Sequence, residues 1–285
     1  MRDANAGAGA GRRPLLIALP PSEGKAPGGH GPPLDLASLS GADVLTRPRT
    51  RVLRSLVKVA AGARGPKTTA RARAVLGLSE GLAGELATDA ALLESPTMPA
   101  AERYTGVLYD HLSLGTLDAA ARARAAASVV IVSALWGAVR PDDPIPAYRL
   151  SAGVTLPGVG KLGAFWKAPL ARALPTDALV VDCRSAAYAG MWIPPAAPAG
   201  SSVVVAVRVF VVAADGTRSV VSHNAKATRG DVARALLQRM GGGAADASTP
   251  VEVAAVVTAA GLRCELVEPA RPGAPWCLDV LLDPA

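Results

Sequence analysis

The chain has 285 residues, and 30 Lys and Arg against 23 Asp and Glu give it a formal net charge of +7. Half of the residues are hydrophobic, a composition that excludes wholesale disorder and predicts a substantial folded core. No apolar run reaches the roughly 20 residues that a bilayer-spanning helix needs, so we predict a protein without membrane spans.

Cysteine and histidine usage bears on metal sites and on the cellular compartment. The chain has three Cys and three His, and no CxxC pair occurs. Three scattered cysteines do not form a disulfide framework, which favours the reducing cytoplasm. We therefore predict a cytoplasmic protein that holds neither a metal ion nor another cofactor.

The first half of the chain is predicted to contain one buried strand followed by helices. Residues 1–13 are basic without an apolar core and are predicted to be a disordered leader, whereas residues 14–285 form a single domain. The apolar run Leu15–Leu19 is typical of a buried strand. Residues 44–127 are predicted to be mainly helical. The breaks between these helices fall near Gly62, Gly77 and Pro96.

The second half alternates between strands and helices. Helices are predicted at residues 230–240 and 249–260, and Asp215-Gly216 indicates a hairpin turn. The predicted strands are Val129–Ser133, Leu179–Cys183, Val203–Val212, Arg218–Ser222, Arg263–Val267 and Cys277–Leu282. This order predicts an α/β to α+β fold, in which a mixed β-sheet is flanked by helices and the first half carries a basic helical element.

The basic residues are concentrated in one segment. Residues 44–79 contain nine Lys and Arg and no Asp or Glu, so the rest of the chain sums to −2. At about 100° per residue, the first helix of this segment presents a cationic face and buries the opposite, apolar face. The candidate DNA-binding residues on this segment are Arg47, Arg51, Arg54, Lys58, Lys67 and Arg71.

Three interpretations of this cationic face stay open. Clustered cations bind polyanions such as double-stranded DNA, because binding releases the counterions of the phosphates. In the second interpretation the face is simply a solvated surface. In the third, the helix lies on the surface of a membrane. The membrane interpretation is the least favoured, because the apolar side carries neither Trp nor Phe.

Polar clusters follow four of the predicted strands, at the positions where α/β proteins assemble their sites. These clusters contain many cations and few carboxylates, which favours an anionic ligand such as phosphate. Five cations are therefore expected to converge in one cleft: Lys25, Arg140, Arg184, Lys226 and Arg229. The alternative is a set of separate salt bridges with Glu23, Asp142 and Asp182.

A set of motifs between about residue 15 and residue 240 resembles one family. In chain order they are LIALPPSEGK ending at Lys25, RYTG with LY within Arg103–Tyr109, VSALWGAVRP at Val132–Pro141, PAYRL at Pro146–Leu150, VDCRS at Val181–Ser185 and SHNAKATRG at Ser222–Gly230. Together they are similar to the YaaA family of peroxide stress resistance proteins. The resemblance implies a cytoplasmic DNA-binding protein that limits oxidative damage, with a mixed α/β fold, a helix-hairpin-helix element and a positively charged cleft.

The motif residues supply the candidate site and leave two classes of function open. The first class is a DNA-binding stress protein; the second is an enzyme that acts on a nucleobase or nucleotide-like substrate, for example in a biosynthetic pathway. In such an enzyme Asp182 or His223 would be the general base. Tyr104 or Tyr148 would be a proton donor, and either of them or Trp166 would offer a stacking surface for a base. The candidate ligand- or phosphate-binding residues are Ser22, Lys25, Arg140, Tyr148, Arg149, Trp166, Arg184, Ser185, Tyr188, Lys226 and Arg229. The expected partner is double-stranded DNA or a nucleotide-like anion, bound by a monomer.

Overall fold

The computed structural model describes residues 12–195, 201–220, 223–238 and 246–284. Its strands are β1 (Leu15–Leu19), β2 (Met98–Pro99), β3 (Val129–Ser133), β4 (Gly137–Val139), β5 (Pro144–Ile145), β6 (Thr155–Leu156), β7 (Gly160–Lys161), β8 (Leu179–Asp182), β9 (Val203–Val212), β10 (Arg218–Val220), β11 (Cys264–Val267) and β12 (Trp276–Leu282). Its helices are α1 (Ala42–Ala61), α2 (Pro66–Leu76), α3 (Glu85–Ala90), α4 (Ala100–Arg103), α5 (Val107–Leu112), α6 (Ala119–Ser128), α7 (Leu162–Phe165), α8 (Lys167–Ala173), α9 (Ala186–Ala189), α10 (His223–Gln238) and α11 (Pro250–Ala259).

One mixed sheet organises these elements. Its strands lie in the order β11-β12-β9-β8-β1-β3-β4, and β10 pairs with the end of β9. The five strands β1, β3, β8, β9 and β12 run parallel, whereas β4, β10 and β11 are antiparallel to their neighbours. All five residues of β1 are buried, as expected for a parallel strand covered on both faces. The predicted mixed α/β sheet flanked by helices is confirmed.

Most predicted strands agree with the observed ones, but the motif SHNAKATRG does not form the predicted loop. Helix α10 begins at His223, seven residues before the predicted start. Ala225, Thr228 and Val232 are buried at helical spacing, so the motif packs its apolar side against the protein core. The predicted leader and the end of the predicted hairpin, residues 1–11 and 221–222, lie outside the described residues.

Helices α1 and α2 form the predicted basic pair. In α1 the side chains of Leu45, Val52 and Leu56 are buried, whereas the predicted cationic residues are exposed. The exception in this segment is Arg49, which lies on the buried face of α1. Its guanidinium group donates hydrogen bonds to the backbone oxygens of Ser40, Trp136 and Ala138.

Trp166 is a core residue and does not line an open cleft, contrary to its predicted place in the ligand site. Its side chain is fully buried, and its indole Nε1 donates to the backbone oxygen of Ala134 at 2.8 Å. The ring lies against Gly137, where an added Cβ would be 2.5 Å from the nearest ring atom. The close approach of strand β4 to this ring therefore requires a glycine.

Gly137→Ala is expected to destabilise the protein more than Gly158→Ala. Both glycines have a positive φ, of 72° and 70°, so both variants carry the same cost of about 1–2 kcal/mol for placing alanine there. Only Gly137→Ala also forces a methyl group into Trp166, because nothing lies within 4 Å of the added carbon at Gly158. Overpacking adds about 1–3 kcal/mol. Urea unfolding of both variants measures the difference, and equal losses would contradict the packing argument.

Among the described residues, no helix is both long enough and apolar enough to cross a bilayer. In the same part of the chain, no three His, Cys, Asp or Glu side chains are placed together as metal ligands would be.

Candidate functional site

Lys25 lies beyond the carboxyl end of β1, in a loop that folds back across two tyrosines. Its backbone forms an isolated bridge with Tyr104. Its amino group donates to the backbone oxygens of Ser22 and Glu23, at 2.8 and 3.4 Å. The same nitrogen lies 4.2 Å from the ring centre of Tyr148 and 5.6 Å from that of Tyr104. The loop therefore holds the Lys25 amine over an aromatic floor.

Arg103 anchors this loop from below. The side chain is fully buried, and its guanidinium group donates hydrogen bonds only to backbone oxygens. These acceptors are the carbonyls of Ala26, Gly28, Pro96 and Ile145. Burial lowers the pKa of Arg103, since no carboxylate compensates for the lost hydration. The first arginine of the RYTG motif thus has a structural role.

A chain of buried hydroxyl groups fixes the aromatic floor. The backbone N–H groups of Leu135 and Trp136 both donate to Ser133 Oγ at 3.2 Å. Ser133 therefore donates to the Tyr148 hydroxyl, which lies 2.7 Å away, and Tyr148 donates to Tyr104 at 2.8 Å. Burial raises the pKa of both tyrosines, so both stay neutral.

The cleft beside Lys25 has a volume of about 490 Å³. Its charged lining residues are Lys25, Arg149, Glu23 and Glu85. Arg149 forms an ion pair with Glu23 at 3.0 Å. The cleft contains as many carboxylates as cations, so it does not have the excess of positive charge that the sequence clusters predicted.

A buried carboxyl group lies behind this cleft. Asp89 is fully buried, and its Oδ1 accepts a hydrogen bond from the backbone N–H of Arg149 at 2.8 Å. Its Oδ2 is buried without a hydrogen-bond partner among the described residues. Burial and, to a smaller extent, the nearby Glu85 raise the pKa of Asp89 to about 7, although the hydrogen bond from the Arg149 backbone acts in the opposite direction.

Asp182 and Arg184 are paired with each other. The Arg184 guanidinium donates to both carboxylate oxygens of Asp182, at 2.8 and 2.7 Å, and also to the backbone oxygens of Tyr188 and Trp192. The Arg184 side chain is only 1% exposed. It is therefore not open to an anionic ligand as predicted, and Asp182 would have to break this pair to act as the predicted general base.

Arg229 approaches the same end of the sheet from helix α10. Its guanidinium donates to the backbone oxygen of Val207 at 3.4 Å, and its Nε is buried without a partner among the described residues. Arg229 also lies near the Cys183 thiol, whose pKa burial raises to about 12. Lys226 is exposed one helical turn earlier. His223 begins α10, but its side chain lies outside the described residues.

Three other predicted residues border this region without forming one cluster. The Ser22 hydroxyl donates to the backbone oxygen of Thr105. Ser185 is exposed just before α9. Tyr188 is half-buried, and burial raises its pKa to about 12.

Arg140 lies at the opposite end of the sheet from Lys25. Its guanidinium donates to the backbone oxygens of Ala127 and Val129, at the amino end of β3. The antiparallel turn from β3 into β4 carries the chain back to that end. The predicted convergence of five cations is therefore wrong for Arg140, because the sequence pattern did not indicate this turn.

The exposed cations of α1 and α2 line a groove of about 660 Å³. Arg54 and Lys58 come from α1 and Arg71 from α2, and the opposite wall is formed by the Pro157–Gly158 turn. Among the described residues, no Asp or Glu lines this groove. Arg47 and Lys67 are exposed on the same two helices outside the groove lining.

Arg51 is engaged within the protein. Its guanidinium donates to the backbone oxygen of Gly158, at 2.5 and 3.0 Å, and stacks 5.6 Å from the Phe165 ring centre. Ser55 also donates to the oxygen of Pro157 at 2.7 Å. These contacts fasten the far wall of the groove to α1.

Sequence reasoning missed Ser133 and Asp89. Ser133 ends strand β3, so the rule that selected Asp182 at the end of β8 would also have found it. Asp89 gave no such signal, because it lies in the short helix ELATDA, whose polar residues are typical of a solvated surface.

Comparisons with known proteins agree with the motifs. A model of the family described as peroxide stress protein YaaA matches residues 15–246. A UPF0246 protein of Streptomyces coelicolor is 49% identical over 94% of this chain and 98% of its own length. A UPF0246 protein of Corynebacterium efficiens is 43% identical over 89% of this chain and 96% of its own length. The matching region contains the Lys25 loop, both tyrosines of its floor and the basic helices, and the chain belongs to the YaaA family of peroxide stress proteins.

Proposed function

We propose that this protein binds double-stranded DNA through the groove between α1 and α2, and that this binding limits DNA damage during peroxide stress. The observation that supports the proposal is the groove lining: Arg54, Lys58 and Arg71 come from two helices, and no carboxylate accompanies them. In this proposal the helix pair has the DNA-binding role of the helix-hairpin-helix element that the family resemblance implies.

Electrostatics favour a polyanion in this groove. No Asp or Glu occurs between Val44 and Ser79, so the acidic residue of α1, Asp43 in its first turn, lies far along the helix from Arg54 and Lys58. Gathering them in one groove raises the local potential, which a DNA phosphate backbone lowers by displacing counterions. The groove offers cations and small residues for phosphate contacts. Bidentate recognition of adenine needs an Asn or Gln side chain, and none is among the described residues that line the groove.

A nucleotide-like substrate in the Lys25 cleft is supported less well. Glu23 and Glu85 line that cleft and repel phosphate. The face of the Tyr148 ring is already covered by the Lys25 amine, so no open aromatic face is available there for stacking a base.

Reversing three groove charges tests the proposal. The variant Arg54→Glu/Lys58→Glu/Arg71→Glu is expected to weaken binding to a fluorescent DNA duplex at least about tenfold, and to reduce the slope of log affinity against log salt by about three. Arg51 is left intact because it holds the far wall of the groove. Fluorescence anisotropy across a salt series measures both effects.

A matched control separates the groove from overall charge. The variant Lys167→Glu/Arg172→Glu/Arg271→Glu has the same net charge, and its three positions are exposed outside the groove. It is expected to keep most of the affinity. Equal losses in both triple variants would contradict a groove-specific site. Peroxide survival of cells carrying only the groove variant tests the protective role.

A further inference from the structure

The Lys25 amine is held in the geometry of a nucleophile. A neutral amine has two N–H bonds and one lone pair, and here two backbone oxygens, those of Ser22 and Glu23, accept from the nitrogen. The Lys25 side chain lines the cleft of about 490 Å³. In the neutral form the two carbonyls accept both N–H bonds and orient the nitrogen at the wall of the cleft.

The surroundings also favour the neutral form of this amine. Burial and, to a smaller extent, the positive charge of Arg149 lower the pKa of Lys25 to about 8. Glu85, Asp89, Glu23 and the face of the Tyr148 ring act in the opposite direction. Desolvation outweighs them, so about one tenth of Lys25 is uncharged at pH 7, far more than for an ordinary lysine. An uncharged lysine amine attacks carbonyl carbons.

We propose that Lys25 forms an imine with a small, neutral aldehyde or ketone bound in this cleft. This activity is separate from DNA binding and uses a different part of the protein. In the reaction the lone pair of Nζ attacks the carbonyl carbon and forms a C–N bond. The carbonyl oxygen then leaves as water with the two hydrogens of the amine, and a C=N bond remains.

The other residues of the cleft have positioning roles in this reaction. Arg149 lines the cleft, and its guanidinium is suited to polarise the carbonyl oxygen. Tyr148 supports the amine from below, and the hydrogen bonds with Ser133 and Tyr104 fix its ring.

The charges of the cleft select the class of carbonyl compound. When Lys25 is neutral, the remaining lining charges are Arg149 against Glu23 and Glu85, and Arg149 is already paired with Glu23. This leaves a negative balance, which disfavours anionic carbonyl compounds such as glyoxylate. A neutral aldehyde such as propanal meets no such repulsion.

Reductive trapping in the intact protein tests the proposal. The protein is incubated with propanal and sodium cyanoborohydride, which reduces the imine to a stable secondary amine, and each lysine adduct is quantified by peptide mass spectrometry. Exposed Lys161 and Lys167 serve as internal controls. We expect Lys25 to react at least about tenfold faster than either control at pH 7, because a lower pKa leaves more free amine. Its rate should level off above about pH 8, where the Lys25 amine is mostly uncharged.

Several outcomes would overturn the proposal. Labelling of Lys25 no faster than that of Lys161 and Lys167 would show an ordinary, shielded lysine. Faster trapping of glyoxylate than of propanal would refute the neutral substrate class. The triple groove variant is expected to trap propanal at the wild-type rate, so a failure of DNA binding and a failure of imine formation can be distinguished.

Discussion

Replacing Arg103 with Met is expected to lower the free energy of unfolding by about 3–5 kcal/mol, because it leaves several buried carbonyl oxygens without donors. The side chain is fully buried, and its partners come from the Lys25 loop, from β5 and from the segment before β2. Methionine fills similar space and donates nothing. Some of the loss is offset because a buried charge disappears, but the orphaned carbonyls dominate.

Urea unfolding at neutral pH measures this effect, and Arg122→Met is the matched control. Arg122 is exposed and donates to one backbone oxygen, that of Leu117, at 3.0 Å. Its replacement is expected to change stability by no more than about 0.5 kcal/mol. Arg103→Lys should recover little, since one ammonium group cannot reach all the carbonyls that the guanidinium spans. A loss below about 1 kcal/mol for Arg103→Met would contradict this account.

Replacing Asp89 with Asn is expected to stabilise the protein above about pH 7, by on the order of 2–4 kcal/mol. Burial raises the pKa of Asp89 to about 7 in the folded protein, whereas an unfolded chain has a value near 4. The folded state therefore binds this proton more tightly than the unfolded state does. The contribution of this carboxyl group to the free energy of unfolding is therefore fully present below about pH 4. It is lost as the pH rises from about 4 to about 7.

Asparagine does not ionise and keeps an oxygen for the backbone N–H of Arg149, so the variant should lack this pH-dependent loss. Urea unfolding at several pH values from about 4 to about 8 measures the difference between variant and wild type. Asp110→Asn is the control, because Asp110 is exposed. An Asp89→Asn curve that runs parallel to the wild-type curve across this range would refute the raised pKa.

The elements that were predicted well are those defined by local patterns. The runs Leu15–Leu19, Val129–Ser133 and Val203–Val212 form strands with the predicted bounds. All residues of β1 and β3 are buried, whereas β9 buries alternate residues between Val205 and Val209, so each local pattern agrees with its tertiary environment. The amphipathic pattern of α1 likewise predicts its buried face, because the apolar residues at helical spacing are the ones that pack against the core.

The candidate site was harder to predict, because its roles depend on contacts between distant residues. Arg184 is a residue type typical of anion-binding sites, but its positive charge is neutralised by the carboxylate of Asp182, two residues earlier. From the sequence, Trp166 is a candidate stacking surface for a base. In the structure its ring packs in the core, because Gly137 on β4 has no side chain to block it. The Lys25 amine acquires its environment from loops more than a hundred residues apart in the chain.

The position of β1 in the sheet has a consequence for synthesis on the ribosome. This strand pairs on one side with β3 and on the other with β8, which are more than a hundred residues further along the chain. This interior strand therefore leaves the exit tunnel early and stays an exposed apolar segment until both neighbouring strands have been synthesised. Such a topology folds slowly and exposes aggregation-prone surface in the meantime. During translation, the nascent chain is expected to need a chaperone until β8 has emerged.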